Sequence, residues 1–204
     1  MGISPKQFEQ MKARVSGLRP KPVATPVFAP GHQSPGLAEQ VLLGIDPSLR
    51  GTGYGVIRFS KPRPQALAFG TITSPAGWER SRCLVKISQT LRQVLRQHRP
   101  TVCVVEGLFY AQNLQTALIM GEARGASLAA VAEAGVEIYE IAPRKVKQAI
   151  VGYGAAQKIA VAKMVQRMLG LGEPPQADAA DALALALAYA QEANRFSFGG
   201  RKRI

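Results

Sequence analysis

The chain is short of cysteine, histidine and acidic residues. It has two cysteines and two histidines in 204 residues. Cys83 and Cys103 are unclustered, which excludes a disulfide framework and suits a reducing compartment, so a cytoplasmic location is expected. His32 and His98 are too few for a histidine-based metal site; His98 falls near a helix C-terminus, where a cation complements the dipole. No apolar run is long enough to span a bilayer. Residues 1–40 lack the apolar core of a signal peptide, and Glu9 and Glu39 count against an organelle transit peptide. Acids number 13 against 26 Lys and Arg, a formal net charge of +13 and a pI of about 10.3. On a chain of this size that excess points to an anionic polymer, nucleic acid rather than a membrane face. Nearly half of the residues are hydrophobic, which excludes a disordered chain and allows one domain with a full core plus tails.

What is present is organised around residues 41–59, VLLGIDPSLRGTGYGVIRF. Val41 to Ile45 is a short apolar run that reads as a strand buried on both faces. It ends in Asp46, and Pro47 stops the ladder. A Gly- and Ser-bearing turn leads to a second strand, Tyr54 to Phe59, which completes a hairpin. An acid at the end of a central strand sits in low dielectric and needs a cation, a positive partner or a raised pKa. A turn-capping Asp before Pro is the plainer account of this stretch taken alone.

Residues 1–40 carry Pro20, Pro22, Pro26, Pro30 and Pro35 among scattered cations, a flexible basic leader in composition. Beyond the hairpin, Gln65–Thr71 reads as a third strand. Trp78–Arg99 reads as an amphipathic helix with Leu84, Ile87, Leu91, Val94 and Leu95 on its stripe and Arg80, Arg82, Lys86, Arg92, Arg96 and Arg99 largely off it. Such a basic face either touches phosphates or is simply solvated. Val102–Val105 is a second buried run that ends in an acid, Glu106. A helix capped by Asn113 runs to about Ala134, with small residues at Gly121, Gly125 and Ala129. Val136–Ile141 reads as the fifth strand. Helices follow from Pro143 and over Ala155–Leu169. The last helix opens QADAADALALALAYA, with Asp178 and Asp181 three apart on one face of its first turn. Acids there complement the helix dipole, but a helix this apolar belongs inside the protein, so its acidic face is expected to line a cleft. The tail, residues 194–204, is basic again.

The expected fold is α/β: a five-stranded mixed sheet, three strands antiparallel and two parallel, flanked by helices, over residues 41–193. It gathers Asp46, Glu106, Asp178 and Asp181 on an otherwise basic protein. Four close carboxylates cannot all ionise unless divalent metal neutralises them. Oxygen-only ligands favour Mg²⁺ or Mn²⁺. Two such ions about 3.5–4 Å apart can activate a water and stabilise the leaving oxygen of a phosphodiester. Composition and site agree on a metal-dependent nuclease.

The blocks GIDPSLRGTGYGVI, VVEGLFYAQN, GEARGASLAA, APRKVKQAIVGYGAAQK and PPQADAADALALA stand in order from about Val41 to Ala190. Together they make the sequence resemble the RuvC family of bacterial Holliday junction resolvases, in the ribonuclease H-like group. The resemblance implies that Asp46, Glu106, Asp178 and Asp181 are catalytic carboxylates and Mg²⁺ ligands, two ions per site, with Mn²⁺ able to substitute. It places Phe109 where the family has an aromatic that stacks on a base at the junction centre, an interaction worth roughly 1–3 kcal/mol. Tyr110 and Arg144 are expected beside it on DNA. Lys147 and Lys158 fall at the family's two basic positions near the scissile phosphate. Four-way junction DNA, a twofold homodimer and the RuvA–RuvB branch-migration complex are the implied partners, in recombination and repair. Two departures stand out: Ser48-Leu49 where the family usually has a glycine, and Gly107 where a polar residue commonly follows the catalytic Glu. The alternatives are another nuclease of this fold acting on RNA–DNA hybrid or rRNA, an actin-like ATPase, and a junction binder without catalysis.

Overall fold

The computed structural model describes residues 39–60, 63–107, 113–194 and 202–204. Strand β1 (Glu39–Asp46) pairs antiparallel with β2 (Gly51–Ser60), and β2 with β3 (Gln65–Thr73). Helix α1 (Arg80–His98) crosses to β4 (Val102–Glu106), parallel to β1. Helix α2 (Leu114–Glu133) crosses to β5 (Glu137–Ile141), parallel to β4. Helices α3 (Pro143–Val151), α4 (Lys158–Leu169) and α5 (Ala177–Asn194) follow. The five expected strands are present in the order β3-β2-β1-β4-β5. A sixth, β6 (Lys202–Arg203), drawn from the basic tail, adds antiparallel to β5.

The unbroken apolar runs are explained by burial on both faces of the sheet. Successive side chains of a strand point to opposite sides. Leu42, Ile57, Val102 and Val104 enter one core with α3, α4 and α5. Leu43, Val56, Cys103 and Val105 enter the other with α1 and α2. Helix α5 is apolar all round because it is covered all round: Ala182 to Ala190 are buried without interruption.

Glycines set how low α5 lies. A Cβ on Gly44 of β1 would sit on the Ala182 carbonyl oxygen, and one on Gly53 of β2 on that of Asp178. The helix backbone therefore rests directly on the strand backbones. That contact brings the first turn of α5 to the end of β1.

Two expectations shift in detail. Helix α4 begins at Lys158 rather than Ala155, since Ala156 is packed into the core and Gln157 has extended cap geometry. The basic face of α1 is largely engaged within the chain. Arg80 pairs with Glu122 at 3.1 Å and Arg92 with Glu133 at 2.7 Å, both on α2. Lys86 donates to the Thr73 carbonyl, and the Arg82 guanidinium lies 3.9 Å over the Trp78 ring. These contacts favour the solvated, structural reading of that face over a phosphate-binding one.

Candidate active site

Asp46 is the last residue of β1 and Glu106 the last of β4. The two strands are parallel neighbours in register at Ile45–Val105, so both acids leave the same end of the sheet side by side. Asp46 faces Gly53 across the β1–β2 pair, and Gly53 lies against the backbone of Asp178. A Cβ on Gly51 would come within 3.0 Å of the Asp178 Oδ2. Asp181 follows one turn later on α5. Two strand ends and one helix start thus bring together acids separated by more than 130 positions in the chain.

The electrostatics follow from that placement. Burial, then Glu106, Asp181 and Asp178, push the Asp46 carboxyl from 3.8 up to about 7, against a smaller opposing pull from Lys158. Burial and then Asp181 raise Glu106, opposed by Lys158, Lys147 and Arg124. Lys158 donates to Asp181 Oδ2 at 2.8 Å, and that hydrogen bond holds its ammonium above the usual lysine range. Lys158 thus contacts the acid cluster through Asp181, and Lys147 acts on the charge of Glu106. Arg144 packs its stem across Gly154 in the turn between α3 and α4. Phe109 and Tyr110 lie outside the described residues.

Among the described residues, no group of three or more His, Cys, Asp and Glu is already drawn together as a metal-ligand set. Lys158 supplies a positive charge to Asp181 at 2.8 Å. The chemistry of the donors still fits a hard divalent cation. All four are carboxylates, and burial followed by its acidic neighbours pushes Asp46 up to about 7.

Both departures in the sequence are accommodated locally. Ser48 N donates to Thr52 Oγ1 at 3.1 Å, and Thr52 Oγ1 donates back to Ser48 O at 2.5 Å, closing the turn after Asp46. Leu49 folds into the α1 core. Gly107 N donates to Ile141 O at 2.9 Å, and a Cβ there would meet Glu140 at 3.4 Å.

Sequence reasoning missed Arg124. It is buried on α2, with one guanidinium nitrogen donating to the Glu106 carbonyl and the other 2.5 Å from Glu140 Oε2. The available signal was a cation on the buried face of α2, beside Ala123, Ser127 and Val131.

A family model, crossover junction endodeoxyribonuclease RuvC, matches residues 42–189, from β1 into α5. The chain belongs to the RuvC family. Its Akkermansia muciniphila relative, named crossover junction endodeoxyribonuclease RuvC, is 45% identical over 148 residues, 72% of this chain and 89% of the relative. The Rubrobacter xylanophilus member, of the same name, is 43% identical over 153 residues, 74% and 86% of the two chains. Among solved structures, Thermus thermophilus RuvC in complex with Holliday junction substrate superposes with a TM-score of 0.74 at 35% identity, covering 81% of this chain and 99% of that one. The yeast mitochondrial Holliday junction resolvase Ydc2 shares the fold, with a TM-score of 0.53 at 12% identity. The five-stranded ribonuclease H-like sheet expected from sequence is thus the sheet of the family. No helix among the described residues is long and apolar enough to cross a membrane.

Proposed function

We propose that the protein is a structure-specific DNA endonuclease that resolves four-way junctions by metal-dependent phosphodiester hydrolysis, leaving a 5′-phosphate and a 3′-hydroxyl. One observation carries this reading: Asp46, Glu106, Asp178 and Asp181 converge on one end of the sheet, with Asp46 raised to about 7 by burial and by the other three. Family membership and the likeness to the Thermus thermophilus junction complex support it.

Asp46, Glu106, Asp178 and Asp181 would hold Mg²⁺, two ions per site on this reading, with Mn²⁺ as a substitute. Such ions activate an attacking water and stabilise the departing oxygen. The chain's own groups do the rest. Asp46, central to the cluster, is the acid whose ionisation the site controls most tightly. Lys147 and Lys158 offer positive charge where a phosphate would approach. Phe109, Tyr110 and Arg144 are the proposed DNA contacts, with Phe109 stacking on a base. The net charge of +13 draws the DNA backbone to the surface.

Two symmetric cuts require two active sites, hence a twofold homodimer. Helix α2 is the proposed interface. Leu114 and Leu118 are exposed on it, and Cβ atoms on Gly121 and Gly125, along the same stripe, would meet nothing within 4 Å among the described residues. The RuvA–RuvB complex is the proposed working partner, in the cytoplasm. Residues 41–193 form the nuclease domain on this reading, with a basic leader before it and a basic tail from 194 to 204.

The test is cleavage of a synthetic mobile four-way junction with and without Mg²⁺, beside linear duplex, RNA–DNA hybrid and structured rRNA. Paired, symmetric, Mg²⁺-dependent cuts in the junction are expected. Asp46→Asn should bind the junction and fail to cut it. Preference for hybrid or rRNA would overturn the substrate, and absence of cutting by the wild type would overturn the enzyme.

A further inference from the structure

Arg124 stands at the back of the catalytic end of the sheet. The last register pair between β1 and β4 is Ile45–Val105, one residue short of Glu106. Beyond that pair, Arg124 Nη1 supplies the donor to the Glu106 carbonyl. Its Nη2 is 2.5 Å from Glu140 Oε2 on β5. The Arg124 side chain is 8% exposed and that of Glu140 24%. A guanidinium enters an interior only with its donors engaged, and its rigid fork can span two acceptors that a single ammonium cannot.

We propose that Arg124 and Glu140 are positioning residues for Glu106. The guanidinium ties the end of β4 to β5 and so sets where the Glu106 carboxylate is presented to the cluster. This inference rests on the nuclease reading and deepens it.

The packing supports a fixed register. Glu140 lies against Gly107, the residue after Glu106, where a Cβ would come within 3.4 Å of the Glu140 Cγ and Oε1. Gly107 N is held by Ile141 O at 2.9 Å. The peptide following Glu106 is thus gripped by β5 and its carbonyl by α2. Glu106 cannot turn its backbone without breaking one of these bonds. Gly107 thus packs beside the Glu140 side chain that reaches Arg124.

Groups that orient a ligand without touching the ion set its affinity, and their loss typically costs roughly 10–100-fold in metal binding or rate. The experiment uses the full chain with Arg124→Gln, Arg124→Lys and Glu140→Gln. Glu137→Gln, whose partner Arg203 is 3.0 Å away at the far edge of β5, serves as the charge control. Mn²⁺ binding to the DNA-free protein is measured by calorimetry, junction affinity without divalent metal by fluorescence anisotropy, and cutting as a function of Mg²⁺. Expected are about tenfold or greater losses of Mn²⁺ affinity in Arg124→Gln and Glu140→Gln. The Mg²⁺ needed for half-maximal cutting should rise in parallel, with junction affinity within about twofold of wild type. Arg124→Lys should lose less than Arg124→Gln, since an ammonium can still meet one acceptor. Unchanged Mn²⁺ affinity in folded Arg124→Gln and Glu140→Gln would overturn the proposal. So would an equal loss in Glu137→Gln, or unfolding of both variants, which would make the pair a folding element instead. A wild-type protein that neither binds Mn²⁺ nor cuts would sink the nuclease reading itself, an outcome distinct from these.

Discussion

The sharpest test of the acid cluster is a stability measurement on Asp46→Asn without metal. Burial and three neighbouring acids raise Asp46 from 3.8 to about 7, a shift of about three units. A carboxyl raised on folding favours the folded state while protonated. Its contribution is fully present below the unfolded value near 4 and is lost as pH rises through about 7. At about 1.4 kcal/mol per unit, the complete loss is about 4 kcal/mol, of which about 2–3 kcal/mol falls between pH 5 and pH 8. For a chain of this size that is a fall in Tm of roughly 5–10 °C. Asparagine keeps the shape and cannot ionise, so the variant should lack this part of the slope. The assay is thermal unfolding of wild type and Asp46→Asn at matched pH from 5 to 8 in a metal chelator. The difference between the two curves cancels the shared groups that do not interact with Asp46. It should widen with pH, the variant becoming the more stable by about 2–3 kcal/mol over the range.

Adding Mg²⁺ at pH 8 should close the gap. A ligand at a hundredfold excess over its Kd stabilises by about 2.7 kcal/mol, and only the wild type has the full set of carboxylates to receive it. Parallel pH curves for wild type and variant would refute the reasoning: Asp46 would then be neither buried among like charges nor in need of a cation.

Two further outcomes follow from the geometry. Gly44→Ala places a methyl on the Ala182 carbonyl, so α5 must lift from the sheet; unfolding in urea should show a loss of about 3 kcal/mol or more, and cutting should fall with it as Asp178 and Asp181 move away. Lys158→Gln removes a charge that lowers both Asp46 and Glu106, so the acid limb of the pH–rate profile should move to higher pH, with cutting reduced by about 100-fold at neutrality. An unmoved acid limb would place Lys158 away from the acids in solution.

The site was legible where burial and chemistry collide within a few residues. VLLGI and VCVV are runs that only a doubly covered strand needs, and each stops on an acid that such a strand should avoid. The pair Asp178 and Asp181 stood out for the same reason, at the head of a helix too apolar to be exposed. Their convergence was less legible, because it depends on Gly44 and Gly53 letting one backbone rest on another. Arg124 escaped notice because its partners are 16 and 18 residues away on two different strands, and helical periodicity registers that a cation is buried without saying what it meets. The strand β6 was illegible for a plainer reason: two basic residues have no alternation to read, and their pairing is decided by the open edge of β5.

The arrangement separates holding the acids from neutralising them. Asp46 and Glu106 are fixed by strand ends whose preceding residues are fully buried, and Asp178 by a helix pressed onto glycine. None of these anchors involves the carboxylates themselves, so the backbone cannot move to relieve them, and burial first and like-charge repulsion second push Asp46 and Glu106 up. Rigid anchoring therefore makes the site an acceptor of positive charge. Lys158 meets Asp181 from an exposed side chain, 68% accessible, at 2.8 Å. A buried, immovable cation in that position would neutralise the cluster permanently and leave it nothing to bind. Arg124, the buried cation close by, is placed behind Glu106 on its carbonyl, where it braces the strand and leaves the carboxylate open.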